Sequence, residues 1–237
     1  MPSFSTALTS FACLMAVATA MPATNVARQL DTDCSPGTSY FQCGDYDGCY
    51  AKDPCVAAPD PTHGQCPEGS AVAEVLPKAL YNIFPEHADL AKDAVTGVHL
   101  ETYSDKSQIE QVVAFTGIPS SAKSCSFNWR QGERIERAFV INGQSGLAGV
   151  TRLSGFPAEG EDVSYNSIKE FAEAGTDLGG VDFTNWDSVE GATAHTAGNV
   201  DCAENMYFKL HLRDAKGNTK LYLGQDQDNG LYVTYTC

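Results

Sequence analysis

Apolar and polar residues alternate most clearly near the C-terminus, where Met206, Phe208, Leu210 and Leu212 interleave with Tyr207, Lys209, His211 and Arg213. A period of two places the sets on opposite faces of a pleated chain, so the segment predicts a strand with one buried face. Leu221 and Leu223 flank Tyr222, and Leu231, Val233 and Tyr235 alternate with Tyr232, Thr234 and Thr236. The intervening Lys216-Gly217-Asn218 and Asp226-Gln227-Asp228-Asn229-Gly230 are turn-forming. The C-terminal segment therefore reads as a three-stranded antiparallel meander. Further strands are expected at Val98 to Tyr103, Ile109 to Phe115, Cys125 to Arg130, Ala138 to Ile141 and Leu147 to Leu153, each bounded by Gly, Pro or Ser. Many short strands at this spacing predict a mainly β fold, an antiparallel β-sandwich over 97–237 with few short helices. One short helix is expected at Ser167 to Phe171, with Ser167 and Glu170 forming a capping box and Gly175 ending it.

The pattern changes upstream. Residues 69–96 contain helix formers interrupted by Pro77 and Pro85, which predicts a connector with one or two helical turns. Residues 34–68 hold Cys34, Cys43, Cys49, Cys55 and Cys66 among Gly, Pro, Asp and Tyr. So short a segment with no apolar periodicity needs crosslinks in place of a core, and it reads as a disulfide-rich head module. Residues 21–33 form an extension with one basic residue, Arg28. Residues 1–20 carry the apolar run Phe11 to Ala18 followed by Ala18-Thr19-Ala20, a secretory signal cleaved after Ala20. That run is about half the ~20 residues a membrane span needs, and no lipid-anchor signal closes the sequence, so no membrane anchor is expected. The chain is expected to be extracellular.

Of nine cysteines, Cys13 leaves with the signal. Cys34, Cys43, Cys49, Cys55, Cys66, Cys125, Cys202 and Cys237 then form an even set, which in an exported chain predicts disulfides. No Cys-x-x-Cys pair occurs, so no metal is expected. Both the head and the sandwich hold odd numbers, so complete pairing requires a bridge between them. In a plain meander Cys202 and Cys237 sit at opposite ends of the sheet, so Cys237 is expected to pair with Cys125 and Cys202 with a head cysteine.

A formal charge of -15 repels nucleic acid and anionic membranes, so neither is an expected partner. Ser120 to Lys123 fits Ser-x-x-Lys, but a polar loop explains it better; no Gly-x-Ser-x-Gly occurs, and Gly143-Gln144-Ser145-Gly146 falls one position short. His63, His87, His99, His195 and His211 show no ligand spacing. Asp226 to Gly230 opens like a calcium loop but lacks the closing Glu and reads as a hairpin turn. No catalytic residue, cofactor site or metal site emerges, and no cofactor is expected. Aromatic side chains on a polar face can stack on sugar rings, which makes Trp129, Trp186, Tyr207, Tyr222 and Tyr232 the candidate binding surface.

Two stretches carry a resemblance. Phe115-Thr116-Gly117-Ile118-Pro119 with Cys125-Ser126-Phe127, together with Gln225-Asp226, Gly230-Leu231-Tyr232 and Cys237, resembles the C-terminal domain of fungal proteins named after ubiquitin-three-binding protein. Phe41-Gln42-Cys43, Gly48-Cys49-Tyr50 and Asp53-Pro54-Cys55 look like the small cysteine-rich module that often precedes such domains, with Tyr50 where a second adjacent cysteine is usual. The resemblance implies a β-sandwich in a secreted fungal protein and attaches no catalytic residue to these motifs. The expected function is that of a non-enzymatic, effector-like interaction protein at the cell wall or a host surface. The alternative is a glycan-binding module or carbohydrate-active accessory protein. The expected partner is accordingly an extracellular protein or a cell-wall glycan.

Overall fold

The computed structural model describes residues 34–43, 46–50, 53 and 72–237. The signal sequence, the extension, most of the head after Tyr50, and the side chains of Cys43, Cys55 and Cys66 lie outside the described residues. The described chain is mainly β and its antiparallel sheets curl into a half-barrel.

In the head, β1 (Ser39–Cys43) and β2 (Tyr46–Tyr50) form a two-stranded ribbon, and Cys34 is bridged to Cys49. The segment read as a connector instead supplies two strands, β3 (Val72–Val75) and β4 (Ala79–Ile83), followed by a 3-10 turn at Pro85–His87. Pro77 falls between the strands, where no ladder hydrogen bond is lost, so it punctuates strands and not helices. The remaining strands are β5 (Gly97–Tyr103), β6 (Lys106–Thr116), β7 (Lys123–Gln131), β8 (Phe139–Asn142), β9 (Leu147–Arg152), β10 (Thr176–Asp182), β11 (Thr193–Val200), β12 (Asn205–Leu212), β13 (Thr219–Gly224) and β14 (Gly230–Thr236).

An eight-stranded sheet runs β10-β9-β12-β6-β5-β13-β8, with β4 also paired to β6; a four-stranded sheet runs β11-β7-β14-β3. Their inner faces meet at Phe127 of β7, whose ring lies 4.5 Å from Phe208 of β12 and 6.1 Å from Phe115 of β6. The C-terminal meander is therefore corrected. The three strands exist where alternation places them, but β12 pairs with β6 and β9, β13 with β5 and β8, and β14 with β3 and β7.

The separation of β13 from β14 is built into the turn between them, which crosses from one sheet to the other and so is no hairpin. Gln225 Nε2 donates to the carbonyls of Asn229 and Leu231, and Leu231 N donates to Gln225 Oε1. Asp226 Oδ1 accepts from the backbone of Asp228 and Asn229, while Asn229 Oδ1 accepts from Gly132 N. These side chains take over the hydrogen bonding that strand pairing supplies in a hairpin.

The disulfide expectation is corrected too. Cys125 is bridged to Cys202, with Cα atoms 5.3 Å apart. The cause is β11, which the sequence reading did not include: it runs antiparallel to β7 with Val200 opposite Cys125, returning the chain to the start of β7 just before Cys202. Cys237 is also disulfide-bonded, but not to Cys125.

Helix α1 (Tyr165–Glu173) starts two residues earlier than expected. Its N-cap is Ser164, whose Oγ accepts from Ser167 N, while Ser167 Oγ accepts from Ser164 N. Val163 and Ile168, on either side of the cap, are both buried in one cluster, the arrangement of a hydrophobic staple. We expect Ser164→Ala to lower stability by about 1 kcal/mol, since it orphans an amide near the buried cap. Glu170→Ala, at an exposed position, is expected to stay within about 0.5 kcal/mol of the parent. Urea denaturation of both variants checks this; equal losses would mean that the cap is not at Ser164.

Candidate functional site

The outer face of the large sheet is covered by 153–163 and α1. A second apolar cluster forms there from Ile83, Val112, Leu153, Val163 and Ile168, with Phe156 stacked on Tyr207 at 4.5 Å and 9°. This covering explains why Tyr207, on the polar side of its strand by alternation, is half-buried.

Beside this cluster the sheet carries ionisable groups in contact. Lys209 Nζ lies 2.6 Å from Glu110 Oε2, with their side chains 15% and 9% exposed. The same ammonium sits 5.0 Å from the centre of the Tyr165 ring. His211, two residues along β12, lies against Gly149 of β9; a Cβ there would come within 2.5 Å of the imidazole, so glycine makes room for the ring. Burial holds His211 below the usual histidine value; Glu110 opposes that shift, while Lys209 and Arg213 add to it. A cavity of about 220 Å³ opens between this row and α1.

On the other side of the covering segment lies an open cleft of about 940 Å³, floored by Tyr81 and Asn82 and walled by 89–95 and 161–163. The walls are tied together: Asn166 Nδ2 donates to Asp89 Oδ1 at 2.6 Å, and Asn166 N donates to the carbonyl of Ala88. Asp89, Asp93, Glu161 and Asp162 line the cleft with Lys92. A third hollow, of about 370 Å³, lies between Arg130, Glu133, Thr193 and Asp228, so the acidic turn borders a cavity at its tip.

The five aromatic residues expected to form a binding surface do not come together as one. Trp129 is 1% exposed, stacked on His195 at 4.2 Å and packed against Phe183 and Phe139. Trp186 is half-buried, edge-on to His195 at 4.1 Å. Tyr222 and Tyr232 are 6% and 8% exposed. Tyr222 meets His99 edge-on, and Arg130 covers the ring of Tyr232. The shared face expected of Tyr207, Tyr222 and Tyr232 depended on the meander, and it is lost because β12, β13 and β14 are not neighbours.

Of the other candidates, Ser120, Ser121 and Lys123 are exposed at the entry to β7, and Thr236 Oγ1 donates to the carbonyl of Lys123. His87 is exposed, His99 buried, and His63 lies outside the described residues. Burial also holds His195 below the usual histidine value. Among the described residues, no three His, Cys, Asp or Glu side chains are placed to hold a metal ion.

Two features were not anticipated. Glu110 and Lys209 are ordinary polar-face positions until β6 and β12 are known to be neighbours. Arg137, 3% exposed, donates to the carbonyls of Gly132, Trp186, Asp187 and Val189, binding two loops to the edge of the sheet. Burial holds its guanidinium below the usual arginine value, with Arg134 adding to the effect.

Fold and site together define a disulfide-bonded antiparallel β protein whose larger sheet is roofed by one helix, with openings on both sides of the roof. Compared with known proteins, the chain matches no protein-family model and none of the curated proteins.

Proposed function

We propose that this protein is an exported, non-enzymatic interaction protein that takes its partner along the cleft between 89–95 and 161–163. The observation that carries this reading is the cleft: it is open, its walls are held by Asn166, and its volume of about 940 Å³ lies within the usual range for binding sites. Export is supported by the signal-like start of the sequence and by the disulfides, which persist in oxidising compartments. Among the described residues, no helix is long and apolar enough to cross a membrane. The resemblance to secreted fungal proteins favours a place at the cell wall or a host surface. The partner is an extracellular protein or a wall polymer, and carboxylates along the cleft favour groups of positive charge. Glycan capture on a flat aromatic platform has less support, because Trp129, Tyr222 and Tyr232 are in the interior.

The test uses the secreted chain immobilised and exposed to chitin, chitosan, β-glucan, plant cell wall and the secreted proteins of a candidate host. Retention of one of these is expected, and Asp93→Arg with Asp162→Arg, both at exposed positions, is expected to weaken it at least about tenfold. Retention that survives both reversals would remove the cleft from the reading.

A further inference from the structure

The cavity beneath α1 is separate from the cleft and is lined differently. We propose that it binds one small polyhydroxylated ring, a single sugar unit in size. This does not rest on the cleft being the interaction site.

Size comes first. About 220 Å³ is below the roughly 300–1,000 Å³ of sites for drug-sized ligands, which suits one ring and not a chain. Charge comes second. Lys169 and Lys209 line the cavity with Glu173, and Glu110 stands against Lys209 just behind it. Two ammonium groups are thus balanced by two carboxylates, so a ligand with a full charge of either sign meets a like charge as well as an opposite one. The third argument is hydrogen-bond chemistry. Ammonium groups only donate and carboxylates only accept, whereas Thr151, Tyr165 and His211 can do either. A ring of hydroxyls, each donor and acceptor at once, can satisfy all three kinds of partner. Its C–H face needs an apolar wall, which Ile168 and Ala172 supply from the helix.

The cavity is also built rather than incidental. Gly149 leaves the space that His211 fills, and the Lys209–Glu110 pair and the Tyr165 ring hold Lys209 at its edge. Pre-placed polar groups of this kind lower the ordering cost of binding.

The test is a titration of protein labelled with 15N-histidine, followed through the ring nitrogens of His211. Methyl α-glucoside, methyl α-mannoside and N-acetylglucosamine are the probes, with sodium acetate and sodium sulfate as charged controls. A saturable shift with at least one sugar is expected. Ala172→Leu, which fills the cavity from the helix, and Thr151→Val, which removes a hydroxyl, are each expected to weaken it about tenfold, roughly the worth of one hydrogen bond. Thr151→Val keeps the size of the side chain, so it serves should Ala172→Leu fail to fold. The proposal is overturned if no sugar gives a saturable shift, if both folded variants bind as the parent does, or if acetate or sulfate shifts His211 as strongly as the sugars.

Discussion

Replacing Lys209 by Met is expected to lower the free energy of unfolding by about 3–5 kcal/mol, because it leaves the Glu110 carboxylate buried without its counter-charge. Methionine retains most of the volume of the lysine stem, so little of the loss comes from packing. The pair itself need not be strongly stabilising, since its attraction is set against the cost of removing two charges from water. Glu110→Met combined with Lys209→Met is therefore expected to recover most of what the single variant loses. Guanidinium unfolding of the three proteins at neutral pH decides the matter. A double variant no more stable than the single one would show that Lys209 acts by packing alone.

Gly230→Ala is expected to cost about 3 kcal/mol, combining a strained backbone with a disturbed buried network. Gly230 has φ of +98°, a conformation that side chains oppose, and a Cβ there would fall 2.3 Å from Gln225 Oε1. That oxygen accepts from Leu231 N, so it cannot withdraw without releasing the first residues of β14. Gly217 separates the two causes: its φ is +82° but a Cβ there meets nothing within 4 Å. Gly217→Ala should therefore lose only the backbone part, about 1–2 kcal/mol. Thermal melts of the pair give the comparison, and equal losses at the two sites would mean that the Gln225 network contributes nothing.

What could be read from the sequence follows from what each signal encodes. Alternation at Met206 to Leu212 reports which side of a strand is buried, and the structure has that strand with those faces. It does not report the neighbour. Gln225, which turns the chain into the other sheet, looks in sequence like any polar residue before a turn. Val72–Val75 and Ala79–Ile83 were hidden by alanines and leucines that favour helices in isolation, a preference overridden by pairing with β14 and β6. The helix was visible but its start was misplaced, although Val163 and Ile168 around Ser164 carried the signal. The site was less legible than the fold. Polar positions on β12 were evident, yet the covering by 153–173, the approach of Glu110 and the space left by Gly149 all arise from residues far apart in sequence. For the aromatic candidates the signal pointed the wrong way, because the polar side of a strand need not face water. Tyr207 faces Phe156.

The bond between Cys125 and Cys202 spans 77 positions and makes a covalent ring of everything between them. The whole roof of the larger sheet lies inside that ring, as do β8 to β11. A protease that severs one peptide bond anywhere in the ring opens it without detaching a fragment, since the new ends stay joined through sulfur. In an environment rich in secreted proteases the roof could thus be cut once and still remain part of the same molecule, and both halves would part only on reduction.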